Sequence, residues 1–346
     1  MTASSAPPNP EHHDPEGGFR NPWPSAESHG LGEFLRWMAT YDRRPDPTKR
    51  GSLPTAAPAP ICPRAPADAL TLTWVGHSTF LIQIGGVNVL TDPMWSEFAS
   101  PVRVVGPRRF MPPGIALSDL PPIDIVVQSH DHYDHLDLPT VRALAARFPK
   151  AEWMVPLGLS GWIARRGVRR VRELDWWEEV EVAGVRVGAV PAQHFSGRGP
   201  RRNRSLWCGW TLRAAASDRA VYFVGDTGDF PGFGEIAERC GPFDAVLMPI
   251  GAYDPRWFMR PAHLDPEEAV RAYATVASRQ PGRPLQLVAM HWGTFKLTEE
   301  PLLEPPERLR RAWRDAALQE PLLHVPRHGE TRRIVPTAQP PNRLTA

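Results

Sequence analysis

Residues 128–137 read QSHDHYDHLD and place four metal-type donors within six positions: His130, His132, Asp134 and His135. Imidazole nitrogens and carboxylate oxygens are the donors that suit Zn²⁺ and related divalent cations. Four of them in one H-x-H-x-D-H loop exceed what a single tetrahedral ion takes from one segment. Two ions sharing the loop would use them all. The apolar run IDIVVQ (123–128) precedes the loop, and a helical pattern, PTVRALAARF (139–148), follows it. The donors therefore sit at the carboxyl end of a strand, where open α/β sheets place their ligands.

Working outward, the same placement recurs. His194 ends AVPAQH, Asp226 ends AVYFVGD and His291 ends LQLVAMH. Alone, each would pass for a turn former or a satisfied polar group. Beside the loop, they complete a set on one edge of the sheets. Asp226 offers two oxygens and can bridge two ions. Two close cations lower the pKa of a shared water and hold a substrate oxygen, which suits displacement at phosphorus and acyl hydrolysis alike. The donors indicate a reaction type and leave the substrate open.

Short apolar, β-branched runs appear at 70–76, 79–84, 87–91, 123–128, 151–155, 180–190, 205–213, 220–225, 243–249 and 285–290. Gly, Pro and Asp punctuate them, as between strands. Helices are expected at 31–41, 139–148, 265–279 and 306–318. The third begins with Asp265, Pro266 and Glu268, a capping-box start. Many strands with few helices predict an α/β layered fold, two mixed sheets flanked by helices.

The expected organisation is a disordered tail over 1–18, an N-terminal arm with a short helix over 19–69, a catalytic domain over 70–336 and a C-terminal tail over 337–346. His12 and His13 fall in the first tail and read as solvated. The net charge of +2 gives no field toward nucleic acid. Cys62, Cys208 and Cys240 are scattered, so a disulfide scaffold is not expected and a reducing cytoplasm fits. No signal peptide and no membrane-spanning run is seen, which leaves peripheral contact with the inner membrane face open.

The wording around these donors resembles a known family. The loop and the later His, Asp and His are similar to the metallo-β-lactamase superfamily. NPWPS (21–25), TWVGHSTFLIQIGGVNVLTDPMWSEFASP (73–101), GPRRF (106–110), QHFSGRG (193–199), GDTGDFPGF (225–233), IGAYDPRWFMRPAHLDPEEAV (250–270) and HWGTF (291–295) narrow it. They resemble N-acyl-phosphatidylethanolamine-hydrolysing phospholipase D, over about residues 19–308. The resemblance implies a metallo-β-lactamase αβ/βα sandwich with two Zn²⁺. One would take His130, His132 and His194, the other Asp134, His135 and His291, with Asp226 between them. Asp134 and His263 are implied as catalytic, and Tyr133 and His263 as contacts to a phospholipid substrate. A homodimer and hydrolysis to phosphatidate and an N-acylethanolamine, by hydroxide generated at the metals, are implied as well.

Other candidates come from the residues themselves. Asp92 in TDP stands near the loop and can orient a ligand histidine, and His77 in GHST stands beside it. Residues 253–260 mix aromatics with Arg, as at a membrane surface, a core patch or a dimer contact. Arg201, Arg202 and Arg204 make a basic run that reads as a solvated loop or a headgroup-steering patch. Two rival functions remain: the same fold acting on a soluble phosphodiester or lactone, and an iron protein doing redox chemistry. Zinc, iron and manganese all suit such donors.

Overall fold

The computed structural model of the chain describes residues 10–23, 30–41, 46–102, 104–198 and 202–335. Arg201, Pro24, Ser25 and the tails at 1–9 and 336–346 lie outside these residues.

A meander of β1 (Leu70–Gly76), β2 (Thr79–Ile84) and β3 (Val87–Thr91) opens the first sheet, joined at its second turn by the Gly85–Gly86 pair. It continues in parallel through β4 (Ile125–Val127), β5 (Glu152–Pro156) and β6 (Val171–Leu174). The second sheet repeats this plan. β7 (Glu179–Val182), β8 (Val185–Val190), β9 (Gly209–Ala214) and β10 (Ala220–Phe223) run antiparallel. β11 (Ala245–Pro249), β12 (Gln286–Met290) and β13 (Leu323–His324) then follow β10 in parallel. β14 (Thr331–Arg333) returns to pair with β1. Each sheet has seven strands, ordered 14-1-2-3-4-5-6 and 13-12-11-10-9-8-7.

Alternation along the strands explains the layers. Leu72, Trp74, Phe80, Ile82 and Val89 share one core cluster with Val187, Trp210, Leu212, Tyr222 and Val246 of the other sheet. Their neighbours Val75, Leu81, Leu90 and Val126 point the other way, into a second cluster with Val141, Leu144 and Ile163. Both faces of the strands are thus buried, and they read as unbroken apolar runs in sequence.

α1 (Leu31–Thr40) precedes the sheets, and α2 (Leu138–Arg147) and α3 (Ser160–Ala164) cover the first one. α4 (Phe233–Cys240), the short α5 (Arg256–Met259), α6 (Pro266–Ser278) and α7 (Glu304–Asp315) follow β10. Ile236, Val270, Tyr273, Leu309 and Trp313 from three of these helices join the central cluster. Asp265 caps α6 by accepting from Glu268 N at 2.8 Å, completing the expected capping box. Asp137, last residue of the metal loop, caps α2 in the same way through Thr140 N. The two sheets sandwiched between helices match the expected αβ/βα fold.

Differences from expectation lie in short elements. The run 180–190 splits into β7 and β8 at Ala183–Gly184, both with positive φ. β6, β13, β14, α3, α4 and α5 are two to eight residues long, too short for a periodic signal.

The N-terminal segment corrects an expectation outright. Residues 10–18 lie against the body, and His12 and His13 are not solvated. Their Nε2 atoms meet the two carboxylate oxygens of Asp175 at 2.6 and 2.7 Å. The His12 ring also stacks on Trp176, 4.2 Å between centroids. A long-range ion pair with a residue 162 positions away left no local signal in the sequence. Among the described residues, no helix is long and apolar enough to cross a membrane.

Replacing Leu247, fully buried in β11 within the central cluster, leaves a cavity that its packed neighbours cannot fully close. Leu247→Ala should lower unfolding stability by about 2–5 kcal/mol. Urea titration should show a lower midpoint with an unchanged slope.

Candidate metal centre

The loop after β4 carries His130, His132, Asp134 and His135. The chain after β8 brings His194, the chain after β10 brings Asp226, and the chain after β12 brings His291. All four strand ends lie on one edge of the sandwich, so residues up to 161 positions apart converge. Gly225 makes this approach feasible. Its φ is +69°, and a β-carbon there would stand 3.0 Å from both the Cys208 carbonyl oxygen and the Ser129 β-carbon.

The donors form two groups. In one, His132 Nδ1 lies 2.9 Å from His130 Nε2 and 3.1 Å from His194 Nε2. In the other, Asp134 Oδ2 lies 3.3 Å from His135 Nε2 and 3.6 Å from His291 Nε2. Asp226 Oδ2 touches both, at 3.2 Å from His135, 3.0 Å from His291 and 3.9 Å from His194. All seven expected donors are brought together, and His263 joins them with its Nδ1 3.9 Å from Asp226.

Groups behind the donors fix their orientation. His194 Nδ1 donates to the Ala262 carbonyl at 2.9 Å, which leaves its Nε2 lone pair facing inward. His135 Nδ1 meets Asp92 Oδ2 at 2.7 Å. Asp92 also accepts from Ser129 N at 2.6 Å and Ser129 Oγ at 2.5 Å. This is the carboxylate–histidine arrangement that aims a metal ligand. Burial raises the Asp92 pKa, while His135 and Ser129 work against the rise.

The electrostatics are unusual for a buried cluster. Burial penalises charge on every group here, and it holds His132 at about 3, His194 at about 4, and His130 and His263 well below the usual range. These imidazoles are neutral, as ligands must be. Burial opposes charge on His135 and His291 as well, but Asp226 and Asp134 outweigh it and raise His291 to about 9 and His135 well above normal. The same pairing holds Asp134 and Asp226 well below the usual carboxylate range against their own burial. Two carboxylates, Asp226 buried and Asp134 half-buried, thus demand positive charge. His135 Nε2, both His291 ring nitrogens, Asp226 Oδ1 and His263 Nδ1 are buried with no hydrogen-bond partner. Unsatisfied buried donors and acceptors are costly, and a cation between the two groups would satisfy most of them. The residues fit a divalent metal.

A cavity of about 400 Å³ opens on the donors. His132, Asp134, His194, Asp226 and His263 line its floor. Trp37, Phe195, Phe258, Met259 and Leu297 line its walls, with Arg20 and Arg202 among the polar residues. Trp37 of α1 stacks on Phe258 of α5 with ring centroids 5.1 Å apart. Tyr133 is not on this cavity. Its ring lies under the Arg198 guanidinium at 4.1 Å, and it lines a second cavity of about 600 Å³ with Trp162, Arg166 and Arg198.

Asn21 has a role that local patterns did not reveal. Its side chain donates to the His194 carbonyl at 2.8 Å and accepts from His194 N at 3.2 Å, clasping a donor-bearing segment from the arm. The NPWPS wording was its only sequence signal, and it named no partner.

Comparison with known proteins agrees with this architecture. A family model described as "Beta-lactamase superfamily domain" matches residues 87–292. An uncharacterised protein of Mycobacterium tuberculosis (strain ATCC 25618 / H37Rv) is 44% identical over 288 residues, 82% of this chain and 74% of its own. N-acyl-phosphatidylethanolamine-hydrolysing phospholipase D 1 of Caenorhabditis elegans is 41% identical over 256 residues, 70% of this chain and 69% of its own. A solved metallo hydrolase from the archaeon Ignicoccus hospitalis covers 77% of this chain and 98% of its own at TM-score 0.57. At 21% identity it speaks for the fold alone. The chain belongs to the β-lactamase superfamily, as a homologue of N-acyl-phosphatidylethanolamine-hydrolysing phospholipase D.

Proposed function

We propose that the chain is a metal-dependent hydrolase holding two Zn²⁺ ions and acting as a phosphodiesterase of phospholipase D type. Its substrate is N-acyl-phosphatidylethanolamine or a related phospholipid, and its products are phosphatidate and an N-acylethanolamine. One ion is assigned to His130, His132 and His194, the other to Asp134, His135 and His291, with Asp226 between them. Bound there, the ions would acidify a water and offset negative charge developing on a phosphate.

The observation that carries the lipid reading is the cavity. Its floor is the donor cluster, and its walls are mainly aromatic and aliphatic with Arg20, Arg202 and Asn203 among them. A soluble phosphodiester or lactone would call for polar walls, whereas a lipid needs apolar surface beside a charged floor. Leu35 and Met38 of α1 and Trp257 of α5 are exposed near Trp37 and Phe258, with the Arg36 guanidinium 4.7 Å from the Trp257 ring. Apolar side chains flanked by Arg suit contact with a lipid surface. The homology to phospholipase D supports the same substrate class.

The chain's own residues then have defined tasks. Asp134 on the cavity floor accepts a hydrogen bond from water and orients it. His263, neutral and unpartnered at Nδ1, donates a hydrogen bond to a phosphate oxygen. Apolar walls exclude competing water. Water oxygen bonds to phosphorus and gives up a proton, the P–O bond to the ethanolamine oxygen breaks, and that oxygen takes up a proton, so that the step balances. Tyr133, on the second cavity, is assigned to the remainder of the lipid.

Purified protein with N-acyl-phosphatidylethanolamine in mixed micelles should release N-acylethanolamine and phosphatidate, identified by mass, and a chelator should abolish the release. No turnover by a zinc-loaded sample would sink the lipid reading and redirect the search to soluble phosphodiesters. Asp92→Asn should weaken metal binding by about 10–100-fold, because His135 loses the carboxylate that orients it. Chelator competition measures this, and unchanged affinity would exclude that role for Asp92.

A further inference from the structure

His77 has no task among the ligands assigned above, yet its conformation is costly and specific. It lies in the turn between β1 and β2, where the strand register shifts at Trp74/Gly76. Gly76 has φ +136° and His77 has φ +55°. Left-handed turn positions favour Gly or Asn, since a larger residue crowds its own backbone there. This turn instead holds an imidazole. Its backbone is tied on both sides to the chain that follows β12. His77 N donates to Thr294 Oγ1 at 2.7 Å, and the His77 carbonyl accepts from His291 N at 3.1 Å and Trp74 Nε1 at 2.9 Å.

These ties aim the ring at the metal centre. His77 is 1% exposed, and its Nε2 lies 2.9 Å from Asp134 Oδ2. Its ring centroid is 4.1 Å from that of His291 and 5.1 Å from that of His135. His135 and His291, the two imidazoles assigned to the ion on the Asp134 side, both approach Asp226. Asp226 Oδ2 meets His135, His194, His263 and His291 within 4.0 Å, but not His77. His77 offers a ring nitrogen within 4.8 Å of donor atoms of Asp134, His135 and His291, with Asp134 as its near contact and Asp226 beyond its reach.

A carboxylate oxygen only accepts, so the 2.9 Å contact requires a proton on His77 Nε2. An ion would occupy the Nε2 lone pairs of His135 and His291. Among the described residues, His77 is then the remaining side-chain donor on Asp134. Asp134 is otherwise carried by an irregular loop.

We infer that His77 is a positioning residue of the metal centre, donating Nε2–H to Asp134 and holding its carboxylate toward the ion shared with His135 and His291. The inference rests on the two-ion reading proposed above. It makes occupancy of the Asp134 side of the centre depend on a turn between the first two strands.

The test uses the full chain and Zn²⁺ itself. Wild type, His77→Phe, His77→Ala and His77→Gln are stripped with chelator and titrated with Zn²⁺ against a chromophoric competitor. Co²⁺ spectra report the coordination of each ion, and circular dichroism and melting check the fold. Phe keeps the ring volume and Ala removes it, so a donor-free variant that folds is at hand. Glutamine places an amide N–H near the position of Nε2. Loss of the donor should weaken one ion by about 10–100-fold and alter its Co²⁺ spectrum, leave the other within about threefold, and be largely reversed in His77→Gln. Two ions bound as tightly without the donor would overturn the inference. So would a His77→Gln variant as weak as His77→Ala, since that result requires a coordinating lone pair. A wild-type chain that takes up a single ion would instead overturn the two-ion reading, and this inference with it.

Discussion

Two carboxylates packed among imidazoles, Asp226 buried and Asp134 half-buried, set the terms for the rest of this structure. Asp226 is 3% exposed and lies within 4.0 Å of His135, His194, His263 and His291. Burying an ionised carboxylate is expensive unless positive charge comes with it. Here the compensation falls on His135 and His291, whose pKa values rise while those of the surrounding imidazoles fall. A divalent cation held by these donors would do the same task. Metal binding and the integrity of this edge of the sandwich are therefore the same problem.

The fold answers that problem by stacking. β4, β8, β10 and β12 end on a common edge, and the donors follow from these strand ends. The apolar strands behind, buried on both faces, make a rigid floor. Rigid elements with orienting groups behind the donors hold such sites in place. Asp92 on His135, the Ala262 carbonyl on His194 and Asn21 across the His194 backbone are those groups. Backbone strain gathers at the same place: His77, Asp92, Ala252 and His291 all have positive φ. Strain kept at a site by surrounding structure marks positions where geometry outranks local preference.

How much was legible in advance follows from the range of the interactions. QSHDHYDHLD is dense enough in donors to announce itself, and apolar runs ending in His194, Asp226 and His291 share its placement. Strand positions were readable because β-branched runs bounded by Gly and Pro report a local preference. The short β6, β13, β14 and α3–α5 carried too few residues for any period to show. The placement of His12 and His13 is not legible locally, because their partner, Asp175, is remote in the chain. Nothing in a Pro-rich, polar segment signals an ion pair it will form across the fold.

The sequence by itself determined the chemistry available: the donor types, their loop, and the strands that carry them, since these depend on local composition and spacing. Only the tertiary structure decided which donors meet. It set Asp226 between two groups and placed the apolar walls from α1 and α5 over the donor floor. It moved Tyr133 to a separate cavity and aimed His77 at Asp134. Those outcomes depend on distances between residues far apart in the chain, which packing of the two sheets fixes and no local pattern encodes.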